Sequence, residues 1–565
     1  MRLFQTAREC TVTIERTLTA EEEFKRASDL LRGDLAEQLG NVRPSIEGAS
    51  EHLLKFHGIY AQDNRDVRRE RTLAGEDLEH IFMVRVAIPG GRLSREQWLA
   101  LDDVAGDIAD GSIRLTTRQA VQFHGVLKHG LRPMAARLNE HLMTSFAACG
   151  DVVRNTVMCP SLLVAGNNDR LVAMAEHIAR TFKPATRAHW EIFVEGDKAA
   201  SSEPDEEHEF YGSTYLPRKF KIAIASANEN CVDVLAQDLG LVPMVHHELG
   251  EGFNVVVAGG LGRSYANPDT FARLADPLTF VTYDEVDDLI RAVLATYRDL
   301  GDRTNRRRAR MKYLAADAGF EHFRQEIEQR FTRPLRDPLP LDFADADDHL
   351  GWHESVDGTW QLGLRVAAGR VRDLEEGRGI RSALREIAAV ANVEFLITAQ
   401  QDILISAIAP EERDVVVAVL AVNGVRLVED LGAVERSALA CPALPTCGQA
   451  LAEAERRLDG VVEMVQSELN DRGLQRRPLQ LRMTGCPNGC ARPAVAEVGI
   501  VGRTKNTYDL FLGGGPRGDR LAVLHQEKVK LEDLAGILRP LLDRWKLEGL
   551  DGEAFGDFYV RLLDA

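Results

Sequence analysis

The sequence predicts an α+β fold in which two copies of one short unit pack as a pseudo-twofold core, flanked by two α/β domains. Three observations predict it. The chain has 565 residues, and at ~150 residues per domain that allows three or four domains. The chain also repeats itself: Phe82 to Leu127 and Trp360 to Ile408 both run strand, Gly-Arg turn, helix, strand, Thr-x-x-Gln, strand. A repeat on this scale implies two similar units packed together. Third, the segment from Arg333 to Asp348 has three prolines and five acids, a composition that suits a linker rather than a packed element.

Taken in order, residues 20 to 75 are polar and charged. They read as a helix over Ala20 to Leu39 and then an irregular arm. A strand follows over His80 to Ile88, ending in Pro89-Gly90-Gly91. The apolar spacing predicts a helix over Ser94 to Ile108, a strand over Ser112 to Leu115 and another over Ala120 to Leu127. Residues 151 to 330 mix strands and helices, including strand signals at Lys219 to Ala225 and Asn254 to Val257. The acidic run Glu203 to Glu207 reads as a solvated loop. The division that results is an N-terminal arm (1–79), a central duplicated unit (80–150 with 349–425), an α/β domain (151–335), a linker (336–348) and a second α/β domain (426–565).

Composition excludes several functions. Hydrophobic residues make up 45% and charged residues 28%, ordinary for a soluble globular enzyme. Eighty-seven acids against 69 bases give −18, which argues against a nucleic-acid binder that must neutralise phosphates. A local basic pocket inside an acidic shell remains open. No apolar run approaches the ~18 residues of a membrane span; the longest, Val415 to Val425 and Val255 to Leu261, are strand-length. The first residues lack the apolar core and cleavage site of a secretory signal. Eight cysteines are too sparse for a disulfide scaffold, so the expected setting is cytoplasmic, with reduced thiols.

Four of those cysteines form two tight pairs. Cys441 and Cys447 have five residues between them, Cys486 and Cys490 have three, and 38 residues separate the pairs. Such a set can hold an iron–sulfur cluster, a tetrahedral zinc, or nothing. The wide first pair fits zinc less well, and the glycines of TGCPNGC let backbone N–H groups approach sulfur. The other four, Cys10, Cys149, Cys159 and Cys231, are scattered and read as small buried hydrophobes. Cys159-Pro160 echoes Cys441-Pro442 as its counterpart in the repeat and is not read as a ligand.

Bases recur inside apolar strands. Arg85 lies in FMVRV, where a guanidinium is costly unless it meets an anion. Arg114 and Arg118 bracket a Leu-Thr-Thr turn, and Gln122 and His124 share one face of the next strand. Lys219 and Lys221 share a face in the same way, and Arg154 precedes another strand-like stretch. Opposite Arg118-Gln119 the second copy has Gln400-Gln401, and opposite Gln122 and His124 it has Leu404 and Ser406. One half therefore keeps a buried polyanion site while the other keeps the scaffold. The tract Arg303 to Lys312 is more basic still and reads as a solvated face. Gly259 to Gly262 lacks the strand-to-helix context of a dinucleotide fingerprint, so electrons for any redox chemistry must come from another protein.

On the stretches KFHGIYAQDNRD, GSIRLTTRQAVQFHG, TYLPRKFK, CPALPTCGQALAEAERRL and TGCPNGCARPAVAEVGIVG, the chain resembles the sirohaem-containing sulfite and nitrite reductases over nearly its whole length. The LPRKFK run favours the sulfite branch. The resemblance implies a central ferredoxin-like domain with internal duplication. It implies a 4Fe–4S cluster on Cys441, Cys447, Cys486 and Cys490, with Cys490 also bridging to the sirohaem iron. By the same resemblance Arg85, Arg154, Lys219 and Lys221 are the substrate-anion residues, and Arg114, Arg118, Gln122 and His124 hold the cofactor carboxylates. The implied reaction is six-electron reduction of sulfite to sulfide, or alternatively of nitrite to ammonia. The expected donor is an NADPH-dependent flavoprotein, with ferredoxin second. A non-catalytic metal module is the reading from another class, and it leaves the basic strands without purpose.

Overall fold

The computed structural model describes residues 17–160, 168–184, 191–194, 197–201, 210–265, 267–375 and 378–565. The acidic run 203–207 and Cys10 lie outside these residues. Four five-stranded sheets organise the described chain, and they fall into two matching pairs.

The first sheet runs Ile59–Asp63, His80–Val86, Val121–Val126, Ile113–Leu115, Arg370–Val371, antiparallel throughout. Another runs Gly351–Glu354, Trp360–Leu364, Ile403–Ile408, Glu394–Ile397, Arg92–Leu93, also antiparallel. Each of these sheets thus takes its last strand from the other repeat. The exchange starts at a tight turn in each copy. Gly91 has φ +79°, and a Cβ there would lie 2.4 Å from the Ile397 carbonyl; Gly369 has φ +71°, and its Cβ would lie 2.6 Å from the Leu115 carbonyl. Only glycine lets the backbone pass at that distance.

Helices cover these sheets as the apolar spacing predicts. Ser94 caps Arg95–Asp107, accepting from the Gln97 N–H, while the Gln97 side chain accepts from the Ser94 N–H, a reciprocal cap. Trp98, Leu101, Val104 and Ala105 form its buried face. The matching helix, Ile380–Val390, buries Ala383, Leu384, Ile387 and Ala388. Asp102 joins the two helices, accepting from Arg381 and Arg385 at 2.6 Å each.

The other two sheets repeat a mixed pattern. Val157–Met158, Ile222–Ile224 and Leu239–His246 are parallel, then Gly250–Val257 and Asp276–Thr282 continue antiparallel. Leu439–Ala440, Leu481–Thr484 and Val498–Thr504 are parallel, then Thr507–Leu512 and Val523–Val529 follow antiparallel. The last of these sheets has its own apolar core, with Trp545, Phe555 and Phe558 buried against it; the core beneath the other three sheets is continuous.

Three sequence expectations are corrected. The helix over Ala20 to Leu39 is two, Ala20–Arg26 and Leu35–Gly40. Between them Asp29, Leu30 and Leu31 take positive φ, and the Ser28 hydroxyl accepts from the Leu31 N–H and closes a turn there. The stretch after it is not irregular: it holds the helices Ala49–Leu54 and Arg68–Ala74 and the edge strand Ile59–Asp63. The apolar run from Val415 sits on a helix, Arg413–Val422, with Val416 and Leu420 buried, an i, i+4 pair that helical spacing brings to one face.

Candidate active site

The two cysteine pairs sit on loops that leave the parallel strands of the last sheet. Cys441 follows Leu439–Ala440, and its N–H donates to the Met483 carbonyl at 3.2 Å. Cys486 follows Leu481–Thr484, and the Gly485 N–H donates to the Cys441 Sγ at 3.3 Å. The loop carrying Cys447 is tied down from the first sheet: the Arg65 guanidinium donates to the carbonyls of Cys447 (3.1 Å) and Ala450 (2.6 Å). The Thr117 hydroxyl donates to the Cys490 carbonyl at 3.0 Å. Parallel strands leave their loops on one side of a sheet, which is why two pairs 38 residues apart in sequence converge.

Burial pushes the Cys486 thiol up to about 12, with Cys490 beside it adding to the rise. Burial and then Cys490 likewise raise Cys441 and Cys447. A metal centre takes the thiolate form, so its binding has to offset this cost of ionisation. A single zinc is excluded by distance. Two sulfurs at about 2.3 Å from one ion lie no more than about 4.6 Å apart. Among the described residues, the one set of ligand atoms mutually within 4.8 Å lies elsewhere. The arrangement therefore fits a polynuclear cluster.

Facing Cys490 is a basin of cations. Arg85 on His80–Val86 pairs in register with Gln122, and the Gln122 side-chain carbonyl accepts from its Nε at 3.0 Å. The Arg85 guanidinium also donates to the Cys149 Sγ at 2.8 Å. Burial opposes its charge, but Cys149, Tyr60 and Cys490 outweigh it and hold Arg85 firmly protonated. Arg154 is buried and braced by the carbonyls of Gly150 (2.8 Å) and Ala148 (3.0 Å). Lys219 and Lys221 flank Phe220, which is fully buried. Among the described residues neither ammonium has a hydrogen-bond or ion-pair partner. Burial first, then Arg310, Arg218 and Arg154, pull Lys219 down to about 7, against an opposing pull from Cys490. Burial and Lys219 take Lys221 well below the ordinary lysine value.

The remaining predicted residues line the same region. Arg114, 1% exposed, donates to the Ala440 carbonyl at 2.7 Å and lies 3.3 Å from Glu455. Arg118 donates to Gln237 (2.8 Å) and to the carbonyls of Asn155 and Ile222. Burial lowers Arg114 to about 10 and Arg118 to about 9. His124 is 2% exposed, and among the described residues neither ring nitrogen has a partner; burial and then Arg370 hold it neutral. An orphaned buried imidazole and unpaired ammonium groups are costly in a folded core. They fit a group bearing several carboxylates.

Sequence reasoning missed several supports. Glu455 takes a bidentate pair from Arg370 (2.7 and 3.0 Å), and Asp238 takes Arg310 (2.9 Å) while accepting from the Lys221 N–H (3.0 Å). Tyr60 and Cys149 complete the basin wall. The solvated-face reading of Arg303 to Lys312 is corrected. Arg303 and Arg306 bind Glu22 and Asp151, Arg310 binds Asp238, and Lys312 is fully buried on the carbonyls of Gly260, Gly262 and Phe271. The tract braces the basin because acids distant in sequence fold against it, a signal no local window carries.

Four thiols on converging loops beside unpaired buried cations define a metallocluster redox enzyme for a small anion. A model described as the nitrite and sulphite reductase 4Fe-4S domain matches residues 173–335, and one described as the nitrite/sulfite reductase ferredoxin-like half domain matches 74–141. The first match holds only Cys231 of the cysteines, so it speaks for family and not for a second cluster there. The sulfite reductase (NADPH) hemoprotein beta-component of Myxococcus xanthus is 42% identical over 96% of both chains. That of Acidithiobacillus ferrooxidans is 44% identical over 97% of this chain and 96% of its own. The Mycobacterium tuberculosis NirA structure matches with TM-score 0.77 at 25% identity, covering 96% of both chains. The chain belongs to the nitrite and sulfite reductase family.

Proposed function

We propose that the chain is the haemoprotein component of an assimilatory sulfite reductase, reducing sulfite to sulfide with six electrons. The observation that carries this reading is that Arg85 and Lys219 share the electrostatic field of Cys490, so an anion drawn by the cations meets the cluster loop. The cofactors are sirohaem and a 4Fe–4S cluster. Cys441, Cys447, Cys486 and Cys490 would hold the cluster, and Arg114, Arg118, Gln122 and His124 would meet the macrocycle's carboxylates. When bound, this pair supplies an iron that takes the sulfite sulfur and a store of single electrons.

The chain's own residues do the rest. Arg85 and Arg154 would orient the oxyanion by charge-assisted hydrogen bonds. Lys219 and Lys221, neutralised easily because burial and neighbouring cations disfavour their charge, can give up protons as S–O bonds break. Braced carbonyls and buried ion pairs fix this geometry before the anion arrives, so little reorganisation is needed in the transition state.

The finer assignments belong to the same proposal. The two antiparallel sheets, with their exchanged strands, form a pseudo-twofold ferredoxin-like centre from 80–150 and 349–425. An N-terminal arm (1–79) precedes it and adds the edge strand Ile59–Asp63 to its first sheet, a linker (336–348) joins the two copies, and residues 151–335 and 426–565 form the flanking α/β domains. The donor is an NADPH-dependent flavoprotein in preference to a ferredoxin, because an acidic ferredoxin would meet a chain of net charge −18. The chain works in the cytoplasm; among the described residues no helix is long and apolar enough to cross a membrane.

The test is a visible spectrum and labile-sulfide assay of protein from a sirohaem-making host, with kcat/KM for sulfite and nitrite. An isobacteriochlorin spectrum with a higher value for sulfite is expected. A colourless, sulfide-free protein or a clear preference for nitrite overturns the reading. Lys219→Met and Lys221→Met should impair reduction more than haem loading; full activity in both would refute their role as proton donors.

A further inference from the structure

A second cysteine cluster lies where the internal repeat would place the counterpart of the first. Cys159 follows Val157–Met158 and donates its N–H to the Ile224 carbonyl at 2.9 Å; Cys441 makes the same bond to Met483. Cys231 stands two residues before the left-handed Asp233, and Cys490 stands two residues before the left-handed Arg492. Each of these residues opens a short turn, Val234–Ala236 or Pro493–Val495. Two stations of the cluster site thus carry cysteine in the first copy as well.

The company they keep is different. The Cys231 and Cys159 sulfurs are 3.2 Å apart, Glu229 Oε1 lies 3.5 Å from the Cys159 sulfur, and His349 Nε2 lies 2.8 Å from the same Glu229 oxygen. One ligand atom from each of the four residues falls within 4.8 Å of every other, a spread that one ion spans and a four-iron cluster does not fit. All four residues are at least nine-tenths buried. We propose that Cys159, Cys231, His349 and Glu229 form a structural zinc site.

The donor set suits zinc: two thiolates, one imidazole and one carboxylate complete a tetrahedron with no position left for substrate. The other imidazole nitrogen, Nδ1 of His349, lies 3.9 Å from Asp347, beyond hydrogen-bond distance. Charge balances too. Two thiolates and a carboxylate around a dication leave one net negative charge. Beside it Arg482 and Arg492 share the single carboxylate of Asp233 (2.7 and 3.0 Å), leaving one net positive charge. Gln400, hydrogen-bonded to Arg492, donates to the Cys231 carbonyl at 3.2 Å.

The consequence is mechanical. His349 ends the segment that joins the two copies. That segment already bonds to the loop after Ile222–Ile224, where the Asn230 N–H donates to the Asp345 carbonyl at 3.0 Å. A metal on His349, Glu229 and both cysteines would lock it to the sheet whose strand Ile222–Ile224 directly follows Lys219 and Lys221.

The test is metal analysis of the full-length holoprotein after dialysis against a chelator, with X-ray absorption at the zinc edge. Expected is about one zinc per chain beyond the cofactor iron, with sulfur at about 2.3 Å and nitrogen or oxygen at about 2.0–2.2 Å. Cys231→Ser and His349→Gln should lose that zinc while keeping the sirohaem spectrum. If these variants do not fold, wild-type protein from zinc-replete and zinc-starved cultures decides by content alone. Zinc-free wild type from replete culture, a Cys159–Cys231 disulfide in peptide maps, or zinc that persists in both folded variants overturns the site.

Discussion

Lys219 concentrates the chemistry of the basin in one titratable group. Burial and then Arg310, Arg218 and Arg154 bring it to about 7 in the cofactor-free chain. On the proposed mechanism the protonated form attracts the anion and holds the proton to be delivered, and that form is lost as pH rises through the group's value. Bound carboxylates and substrate stabilise the ammonium, so in the holoenzyme the loss begins above about 7. kcat/KM for sulfite should therefore fall on the alkaline side with a limb that Lys219→Met removes. The variant should be slower by about 10²-fold or more, the usual contribution of a positioned proton donor. An unchanged alkaline limb in the variant would assign the ionisation to another group. Arg85 should not titrate in this range, because Cys149, Tyr60 and Cys490 oppose its deprotonation.

The repeated tight turn carries its own comparison. Gly90 has φ +64° with nothing closer to its Cβ position than 3.7 Å, and the second copy places Ala368 at the matching station with φ +49°. Gly91 and Gly369 instead press against carbonyls of the opposite copy. Gly90→Ala should cost about 1 kcal/mol. Gly91→Ala and Gly369→Ala should each cost about 2–3 kcal/mol or more, since strain and a backbone clash add. Urea midpoints of the cofactor-free variants measure the difference, and equal costs at Gly90 and Gly91 would mean that the strand exchange is not tightly packed. The Gly-Arg turns and the helix from Ser94 were legible in the sequence because both are local: turn residues and helical spacing lie within one window. The exchange of Arg92–Leu93 and Arg370–Val371 between sheets was not, because a two-residue strand has no periodicity and its partner is set by tertiary packing.

Across the whole molecule, what was legible follows the same division. The four cysteines proposed to hold the cluster and the paired lysines stand out by spacing. Glu455, Asp238 and Asp151, which hold the basic residues in place, pair with arginines from 67 to 341 residues away and look like ordinary surface acids in sequence. Cys159 and His349 come together only because the joining segment folds back on the first mixed sheet. The result is an acidic chain, −18 overall, wrapped around a positive interior. The net charge repels anions at long range, but the basin's cations lie in a poorly screened setting where local charge dominates. Without sirohaem those cations face one another, and a multivalent oxyanion that binds only the folded chain should stabilise it, by about 2.7 kcal/mol at a hundredfold excess over Kd. Sirohaem-free protein should therefore show a Tm that rises saturably with phosphate against chloride at equal ionic strength. The Lys219→Met/Lys221→Met double variant should start from a higher Tm in chloride, because two unpaired buried cations are gone, and should lose the saturable rise. General exclusion of phosphate from the surface acts equally on both proteins and does not saturate. Equal saturable gains in the two would place the anion site outside the basin.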